Sequence, residues 1–264
     1  MTTARSIGIV GGSGALGGAI ARGLLRNEFI KPEHLWISNR SGNTSGFEEG
    51  LGIRFTTRNQ ELADACQIVL VSVPPHLASS VDINAENRLI ISVMAGVSIE
   101  QMEQQTCAKR VVRAISNPAA EIGLAYSPWC ASVGVTDQDR DWARRLFEAC
   151  GLTDELPDED QIDHFTAMTG PVPGFVAYFA DCMVEYAVKH CIDPAIADRA
   201  IRQLFHASGV VLAESGASPG EHVRDMIAYA GTTAAGLESM KASPIAASIE
   251  QGLEAAYQKA QRIA

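Results

Sequence analysis

A short apolar run near the start of the chain leads directly into a cluster of glycines, and this junction restricts the fold more than any other feature. Ile7–Val10 reads as a buried strand, and Gly12, Gly14 and Gly17 follow it in G-x-G-x-x-G spacing. Glycines so spaced let the backbone approach a pyrophosphate, and the helix that opens after them directs amides and a positive dipole end at the phosphates. The junction therefore predicts a strand, a turn and a helix that bind a dinucleotide.

The first half of the chain alternates short apolar runs with amphipathic stretches. The predicted strands are residues 7–10, 35–38, 53–56, 68–73, 89–93, 110–115 and 131–135, and the predicted helices are 15–27, 59–65, 98–104 and 139–150. Such alternation is typical of an α/β protein with a doubly wound, mostly parallel sheet.

An acidic, proline-containing stretch at residues 153–160 ends this alternation, and helical patterns follow at 173–191, 194–215, 232–242 and 244–263. We therefore predict a dinucleotide-binding domain over residues 1–157 and an all-helical domain over 158–264. The helix at 173–191 is apolar on nearly all sides, so a second subunit is expected to cover it. A homodimer or a larger homo-oligomer follows.

Charge and composition narrow the class of partner. Lys and Arg number 21 against 31 acidic residues, for a net charge of -10, which argues against nucleic acid. Four ionisable side chains interrupt the most apolar long segment, so no membrane span is predicted. The six cysteines lack metal-ligand spacing, and the first five residues lack a signal-like apolar core. We expect no metal site and a cytoplasmic location.

The end of the second predicted strand indicates which dinucleotide is bound. NAD enzymes place an Asp or Glu on the ribose 2′-hydroxyl about 20 residues after the glycine turn. Asn39, Arg40 and Ser41 stand there instead, and the guanidinium could hold a 2′-phosphate by charge-assisted hydrogen bonds. We predict NADPH as the cofactor, with NADH bound more weakly. The alternative is that Arg40 is an ordinary solvated loop residue.

Several ordered blocks make the chain resemble pyrroline-5-carboxylate reductases over nearly its whole length. Besides the glycine turn and residues 39–41, the blocks are LIISVMAGV at 89–97, RVVR at 110–113 with Asn117, LAESG at 212–216, PGE at 219–221, RDM at 224–226 and GTTAAGL at 231–237. The resemblance implies a Rossmann domain and a helical domain intertwined with that of a partner subunit. It also implies hydride transfer to the imine carbon of a five-membered ring bearing a carboxylate, with proline as the product.

The turn and the resemblance together indicate the site residues. The cofactor contacts would be Gly12, Ser13, Gly14, Ala15, Leu16, Gly17, Asn39, Arg40, Ser41, Val73, Pro74, Ala95, Gly96 and Asn117. Gly231, Thr232 and Thr233 open a predicted helix and would bind the substrate, and by resemblance the catalytic contact is from the Thr233 hydroxyl to the ring nitrogen. From local sequence alone, a helix cap is the simpler role for Thr233.

The chain departs from the family pattern where substrate would bind. TGPVPGF at 169–175 replaces the usual SGSGPAY, and AYAGTT at 228–233 replaces SPGGTT in a segment one residue shorter. The glycine turn is one residue longer than usual, SVPPH at 72–76 replaces AVKPQ, and ISNPAA at 115–120 replaces MPNTPA. Because amide contacts depend on backbone course, cofactor binding should persist, whereas the ring size of the substrate stays open.

Two other functions stay open. A hydroxy-acid dehydrogenase on the same plan needs a cationic or imidazole acid, but the corresponding helix offers Phe175 and Val176, with Lys189 roughly three turns beyond. His76 and His164 could move a proton, although neither has a partner visible in the sequence. The other alternative is a non-catalytic NADPH-binding homologue with an altered pocket.

Overall fold

A computed structural model describes residues 6–263, so the expectation for the first five residues lies outside the described part. The strands are β1 (Ile7–Val10), β2 (Leu35–Ser38), β3 (Arg54–Thr56), β4 (Ile68–Val71), β5 (Leu89–Ser92), β6 (Arg110–Ala114), β7 (Ala125–Tyr126), β8 (Trp129–Ala131) and β9 (Gly151–Leu152). The helices are α1 (Ala15–Arg26), α2 (Asn59–Ala65), α3 (Ile99–Thr106), α4 (Asp137–Glu148), α5 (Gln161–Met168), α6 (Gly174–Lys189), α7 (Pro194–Glu214), α8 (Pro219–Ala228), α9 (Thr232–Ala242) and α10 (Ile245–Ala260).

A seven-stranded sheet in the order β3-β2-β1-β4-β5-β6-β8 forms the centre of the first half. All neighbours pair in parallel except β8, which runs antiparallel to β6. This confirms the predicted doubly wound, mostly parallel sheet. The apolar strands suit it, because a parallel sheet is covered on both faces.

Alternate residues of the central strands pack into two separate apolar cores, one on each face of the sheet. Ile9 packs in one cluster with residues of α1 and α4, whereas Val69 packs in the other with Leu62 of α2 and Met102 of α3. Helices therefore cover both faces, and the loops at the carboxyl ends of the strands are left at one open edge.

The last strand of the sheet differs from its prediction. Residues 131–135 were expected to form it, but β8 ends at Ala131. Ser132 closes the pairing, since its amide donates to the Val111 carbonyl at 2.8 Å and its hydroxyl accepts from the Val111 amide at 3.1 Å. Val133 is then fully exposed. The later apolar residues belong to the turn that leads into α4, so the prediction was wrong by two residues at the strand start and by four at its end.

The described chain divides into two compact units. The sheet unit consists of the residues up to Val172 together with those from Ala255 onward. The helical unit is Pro173–Glu254. The division lies beyond the predicted boundary between residues 157 and 158, because α5 belongs to the sheet unit and buries Ile162 in a small apolar cluster there. Within this unit the His164 ring stacks on Tyr257 of α10, with ring centroids 4.0 Å apart.

The helical unit contains almost no core of its own. Among its described residues only Ala187, Ala197 and Ala234 are buried. Val176 is 56% exposed, and Phe179 is 41% exposed although its ring meets Phe205 of α7 edge to face. Three buried alanines cannot offset the entropy lost when a unit of this size folds. No helix in the described part combines the length and the apolarity that crossing a membrane requires.

Candidate functional site

The glycine turn between β1 and α1 is closed so tightly that a side chain at Gly11 or Gly17 would collide with backbone. Gly11 has a φ of +80°, and a Cβ there would lie 2.2 Å from the Ser72 carbonyl oxygen at the end of β4. A Cβ on Gly17 would lie 2.6 Å from the Gly11 carbonyl oxygen. The turn therefore holds α1 directly against the carboxyl ends of β1 and β4.

The start of α1 is open. Gly14 is the N-cap, and no side chain caps this end among the described residues. The amides of Ala15, Leu16 and Gly17 have no acceptor in the described part of the chain. Free amides at the positive end of a helix, beside a turn where Gly11 and Gly17 leave no room for a side chain, fit a pyrophosphate. The residues present thus suit the predicted dinucleotide.

Asn39 joins the glycine turn to the loop after β2. Its Nδ2 donates to Ser13 Oγ at 2.7 Å and to the Asn43 carbonyl at 2.8 Å, and its Oδ1 accepts from the Asn43 amide at 2.9 Å. Ser41 Oγ donates to the same oxygen at 3.2 Å. Because these bonds occupy the Asn39 side chain, Asn39 shapes the loop, and the exposed Arg40 is left to meet a ligand. The Arg40 side chain has no ion pair or hydrogen bond within residues 6–263.

Asn59 stands beside this loop and was not among the predicted site residues. It opens α2, and its Oδ1 accepts from Ser38 Oγ at 2.7 Å, at the end of β2. The contact arises because β2 and β3 pair with Ser38 opposite Thr56. The sequence shows an amide side chain just after the third predicted strand. Its contact with the end of β2 follows only from the β2–β3 register, which the sequence does not show.

The remaining predicted cofactor residues follow three neighbouring parallel strands. Val73 and Pro74 come after β4, Ala95 and Gly96 after β5, and Asn117 after β6. The strand register brings these segments to the same edge of the sheet as the glycine turn. In open α/β sheets ligands bind at this edge, where the strand order reverses, and here it reverses between β1 and β4.

The Asn117 side chain makes internal contacts. It is 3% exposed, its Oδ1 accepts from the Ala119 amide at 3.0 Å, and its Nδ2 donates to the Thr169 carbonyl at 3.1 Å. The side chain therefore caps the short helix Pro118–Ile122 and holds the chain just beyond α5. The cofactor contact expected of Asn117 stays a prediction.

In the helical unit, Gly231, Thr232 and Thr233 lie together at the start of α9. Gly231 is the N-cap, and no side chain caps this helix among the described residues. Both threonines are exposed, and their hydroxyls have no hydrogen-bond partner in residues 6–263. By contrast α3, α4 and α8 all begin with a capping box. The amides and hydroxyls at the α9 start are thus available to an anion with a hydrogen-bonding group.

The loop before α9 has an unusual backbone. Ala230 has a φ of +57°, a conformation that costs a residue with a Cβ about 1–2 kcal/mol. Tyr229 is 86% exposed, and its ring lies against Gly231, where an added Cβ would be 3.4 Å from Cδ1. This loop is one of the segments in which the sequence departs from the family pattern, and here it places an aromatic ring beside the helix start.

Comparisons with known proteins agree with the two-unit plan. Residues 159–263 match the family described as pyrroline-5-carboxylate reductase dimerisation, and residues 6–96 match the one described as NADP oxidoreductase, coenzyme F420-dependent. Pyrroline-5-carboxylate reductase of Thermus thermophilus is 30% identical over 94% of this chain and 95% of its own.

Solved structures are similar over the same extent. The 1-pyrroline-5-carboxylate reductase of Streptococcus pyogenes has a TM-score of 0.83 and 25% identity, with 98% of both chains covered. The pyrroline carboxylate reductase of Plasmodium falciparum, solved with NADP bound, has a TM-score of 0.84 and 24% identity, again with 98% of both chains covered. The latter likeness is one of fold.

Proposed function

Because the chain belongs to the pyrroline-5-carboxylate reductase family, we propose that it reduces a small cyclic imino acid with NADPH, converting 1-pyrroline-5-carboxylate to L-proline. The reaction consumes one imine, one NADPH and one proton, and releases proline and NADP⁺. The observation that carries the proposal is the open start of α9. In a chain of this family, Gly231, Thr232 and Thr233 offer free amide and hydroxyl donors of the kind that a carboxylate and a ring nitrogen require.

The sheet unit holds the cofactor. The amides of Ala15 and Leu16 bind the pyrophosphate, and Arg40 binds the 2′-phosphate from a loop that Asn39 keeps folded against Ser13. The bound NADPH supplies the hydride. Anchoring the pyrophosphate and the adenosine end limits where the nicotinamide can lie, and such orientation removes much of the entropic part of the barrier.

The helical unit holds the substrate. The amides at the α9 start bind the carboxylate, since the positive end of the helix dipole favours an anion. The Thr233 hydroxyl donates to the ring nitrogen, which gains electron density as the carbon is reduced, so this bond strengthens toward the transition state. The Tyr229 ring lies against Gly231 beside this helix start, and it is the residue that we expect to limit ring size.

We propose that two copies assemble through their helical units. The matched family is one of dimerisation, and the exposed apolar side chains of α6 need a cover that the described chain does not provide. A second copy of α6 supplies a surface of the same chemistry, as a symmetric interface requires. The protein is expected to act in the cytoplasm.

The decisive experiment measures NADPH oxidation with 1-pyrroline-5-carboxylate, with its six-membered analogue and with a small 2-keto acid, and it identifies the product by chromatography. Proline formed from the five-membered imine is the expected result. Faster turnover of the six-membered ring would revise the substrate, and turnover of the keto acid alone would indicate a hydroxy-acid dehydrogenase. NADPH binding without oxidation by any of the three would contradict the enzymatic proposal.

A further inference from the structure

Arg113 is a buried cation that none of the roles above uses. It lies near the end of β6 and is 4% exposed. One terminal nitrogen donates to Glu159 Oε1 at 3.0 Å and the other to Asp163 of α5, while the buried Nε has no partner among the described residues. A buried cation is costly unless paired, so this arrangement persists only because the surrounding structure holds it.

Glu159 also contacts a third segment of the chain, at the start of α3. Its Oε1 also accepts from the Ile99 amide at 2.8 Å, and Ile99 is the first residue of α3. The Ser98 side chain caps α3 at Gln101, which leaves the Ile99 amide for an external acceptor. One carboxylate therefore ties Arg113 of β6 to the segment between β5 and α3.

Apolar side chains close over this network. Ile115, Cys130 and Ile162 form a small core that Ile99 and Phe165 extend. Hydrogen bonds between charged groups are stronger in such surroundings than in water, and breaking one leaves an uncompensated buried charge. The network, which we call the Arg113 brace, consists of Arg113, Glu159, Asp163 and the Ile99 amide.

The segments that the brace joins all lie on one side of the sheet's reversal point. Ala95 and Gly96 stand between β5 and α3, only a few residues before Ile99. In doubly wound dinucleotide folds one half of the sheet binds each mononucleotide. Because Arg40 and the glycine turn lie with β1 and β2, the half formed by β4, β5 and β6 is left for the nicotinamide.

We propose that Arg113 is a positioning residue for the reaction, because through Glu159 and Asp163 it fixes the β5–α3 segment and α5 around the nicotinamide. This inference rests on the proposed function for the identity of the hydride acceptor, although not for the binding of NADPH. Arg113 touches neither substrate nor cofactor. It acts through the Ala95–Gly96 segment, because the brace fixes the position of that backbone.

The chain provides a matched control on the same strand. Arg110 opens β6, and its Nη1 donates to both carboxylate oxygens of Asp139 at 2.9 and 3.0 Å, while its Nη2 donates to the Asn87 carbonyl. It is paired opposite Leu89, the first residue of β5, and so lies at the amino end of the strand, away from the proposed site. Arg110→Lys and Arg113→Lys both exchange a planar fork for a single ammonium in an ion pair. Arg110 is less buried than Arg113, at 28% against 4% exposed, and has one carboxylate partner where Arg113 has two, but only Arg113 lies near the proposed site.

The experiment measures four properties of each variant: NADPH affinity, kcat with 1-pyrroline-5-carboxylate, the thermal midpoint, and the fluorescence emission of bound NADPH, which reports on the surroundings of the nicotinamide. For Arg113→Lys we expect unchanged NADPH affinity, altered emission, and a kcat lower by on the order of tenfold to a hundredfold, as for a displacement of about 1 Å. For Arg110→Lys we expect a lower thermal midpoint with wild-type kcat and emission.

Glu159→Gln repeats the test if Arg113→Lys does not fold, because it keeps the shape of the side chain and removes only the charge. Wild-type kcat and emission in the folded variants, with only the thermal midpoint lowered, would overturn the proposal and leave a structural ion pair. If the wild-type protein does not reduce the imine, the proposed function fails, and the emission of bound NADPH still decides whether the brace positions the nicotinamide.

Discussion

The two units of this chain reach a folded state by different means. The sheet unit buries continuous apolar strands between helices, and Ile9, Leu70 and Ile91 are fully inaccessible to solvent. The helical unit buries three alanines and leaves the rings and branched side chains of α6 exposed. The first unit carries its own core, whereas the second has one only when another surface covers it. Burial within one chain therefore distinguishes a self-sufficient domain from one completed by assembly.

The two candidate sites differ in the same sense. The α1 start is backed by a turn in which an added Cβ on Gly17 would collide with backbone. The α9 start follows an exposed loop with Ala230 in a left-handed conformation. A rigid support suits a cofactor that many enzymes share, and a strained, exposed loop is where a pocket can change during evolution.

The largest effect is expected from a charge on the uncovered face of α6. Val176→Lys places an ammonium where the partner surface should pack, and burying an unpaired cation costs several kcal/mol, or on the order of a hundredfold or more in association. Light scattering should show monomers at micromolar concentration, while NADPH binding by the sheet unit persists. Val133→Lys is the control, because Val133 is fully exposed on the sheet unit. A monomeric wild-type protein would contradict the proposal that a second copy covers the apolar face of α6.

A methyl group added to a glycine should have opposite effects in the two units. In Gly17→Ala the Cβ would lie 2.6 Å from the Gly11 carbonyl oxygen, so we expect a loss of about 1–3 kcal/mol in unfolding free energy and weaker NADPH binding. A Cβ on Gly252 of α10 meets nothing within 4 Å, so Gly252→Ala should gain about 0.5–1 kcal/mol from helix propensity. Denaturant titration measures both, and effects of equal sign would contradict the packing argument.

Arg40→Asp tests the sheet unit alone. Loss of a charge-assisted contact with the 2′-phosphate costs about 1.5–3 kcal/mol, so NADPH affinity should fall roughly tenfold or more and NADH should become the preferred cofactor. The oligomeric state should be unchanged. Titration of both cofactors by fluorescence provides the measurement. If the wild type binds NADPH and NADH equally and the variant does the same, Arg40 is an ordinary surface residue that does not contact the cofactor.

Thr233→Ala tests the helical unit in the same way. A lost hydroxyl contact to the ring nitrogen, at about 1–3 kcal/mol, should lower kcat roughly tenfold to a hundredfold while NADPH affinity stays at its wild-type value. Thr232→Ala is the neighbouring control. Full turnover with reduced thermal stability would identify Thr233 as a helix cap, and the substrate nitrogen would then have to contact another group.

Local sequence predicted the sheet well because its signals are local. Each parallel strand is an apolar run beside an amphipathic helix, and the glycine turn fixed both the first strand and the start of α1. The helix α8 was not predicted, although Ser218, Pro219 and Glu221 carry the capping-box signal and form that box in the structure. This omission was avoidable.

Other features could not be read from local pattern. The end of β8 depends on hydrogen bonds between Ser132 and Val111, which are distant in sequence. The contact of Asn59 with Ser38 and the Arg113 brace likewise depend on strand order and register. Such residues have ordinary neighbours in the sequence. They acquire these roles only through tertiary contacts, which local sequence does not reveal.

The stack of His164 on Tyr257 makes the helical segment a closed loop in the polymer sense. The chain leaves the sheet unit after Val172 and returns to it at Ala255, so both ends of the segment are anchored while that unit stays folded. The entropy of a loop with joined ends is lower than that of a segment anchored at one end, and each doubling of loop length adds only about 0.6 kcal/mol to this difference. The helices of the second unit therefore gain less freedom when they unfold. The stack thus stabilises the helices between its two ends, from α6 onward, as well as α10, the helix that carries Tyr257.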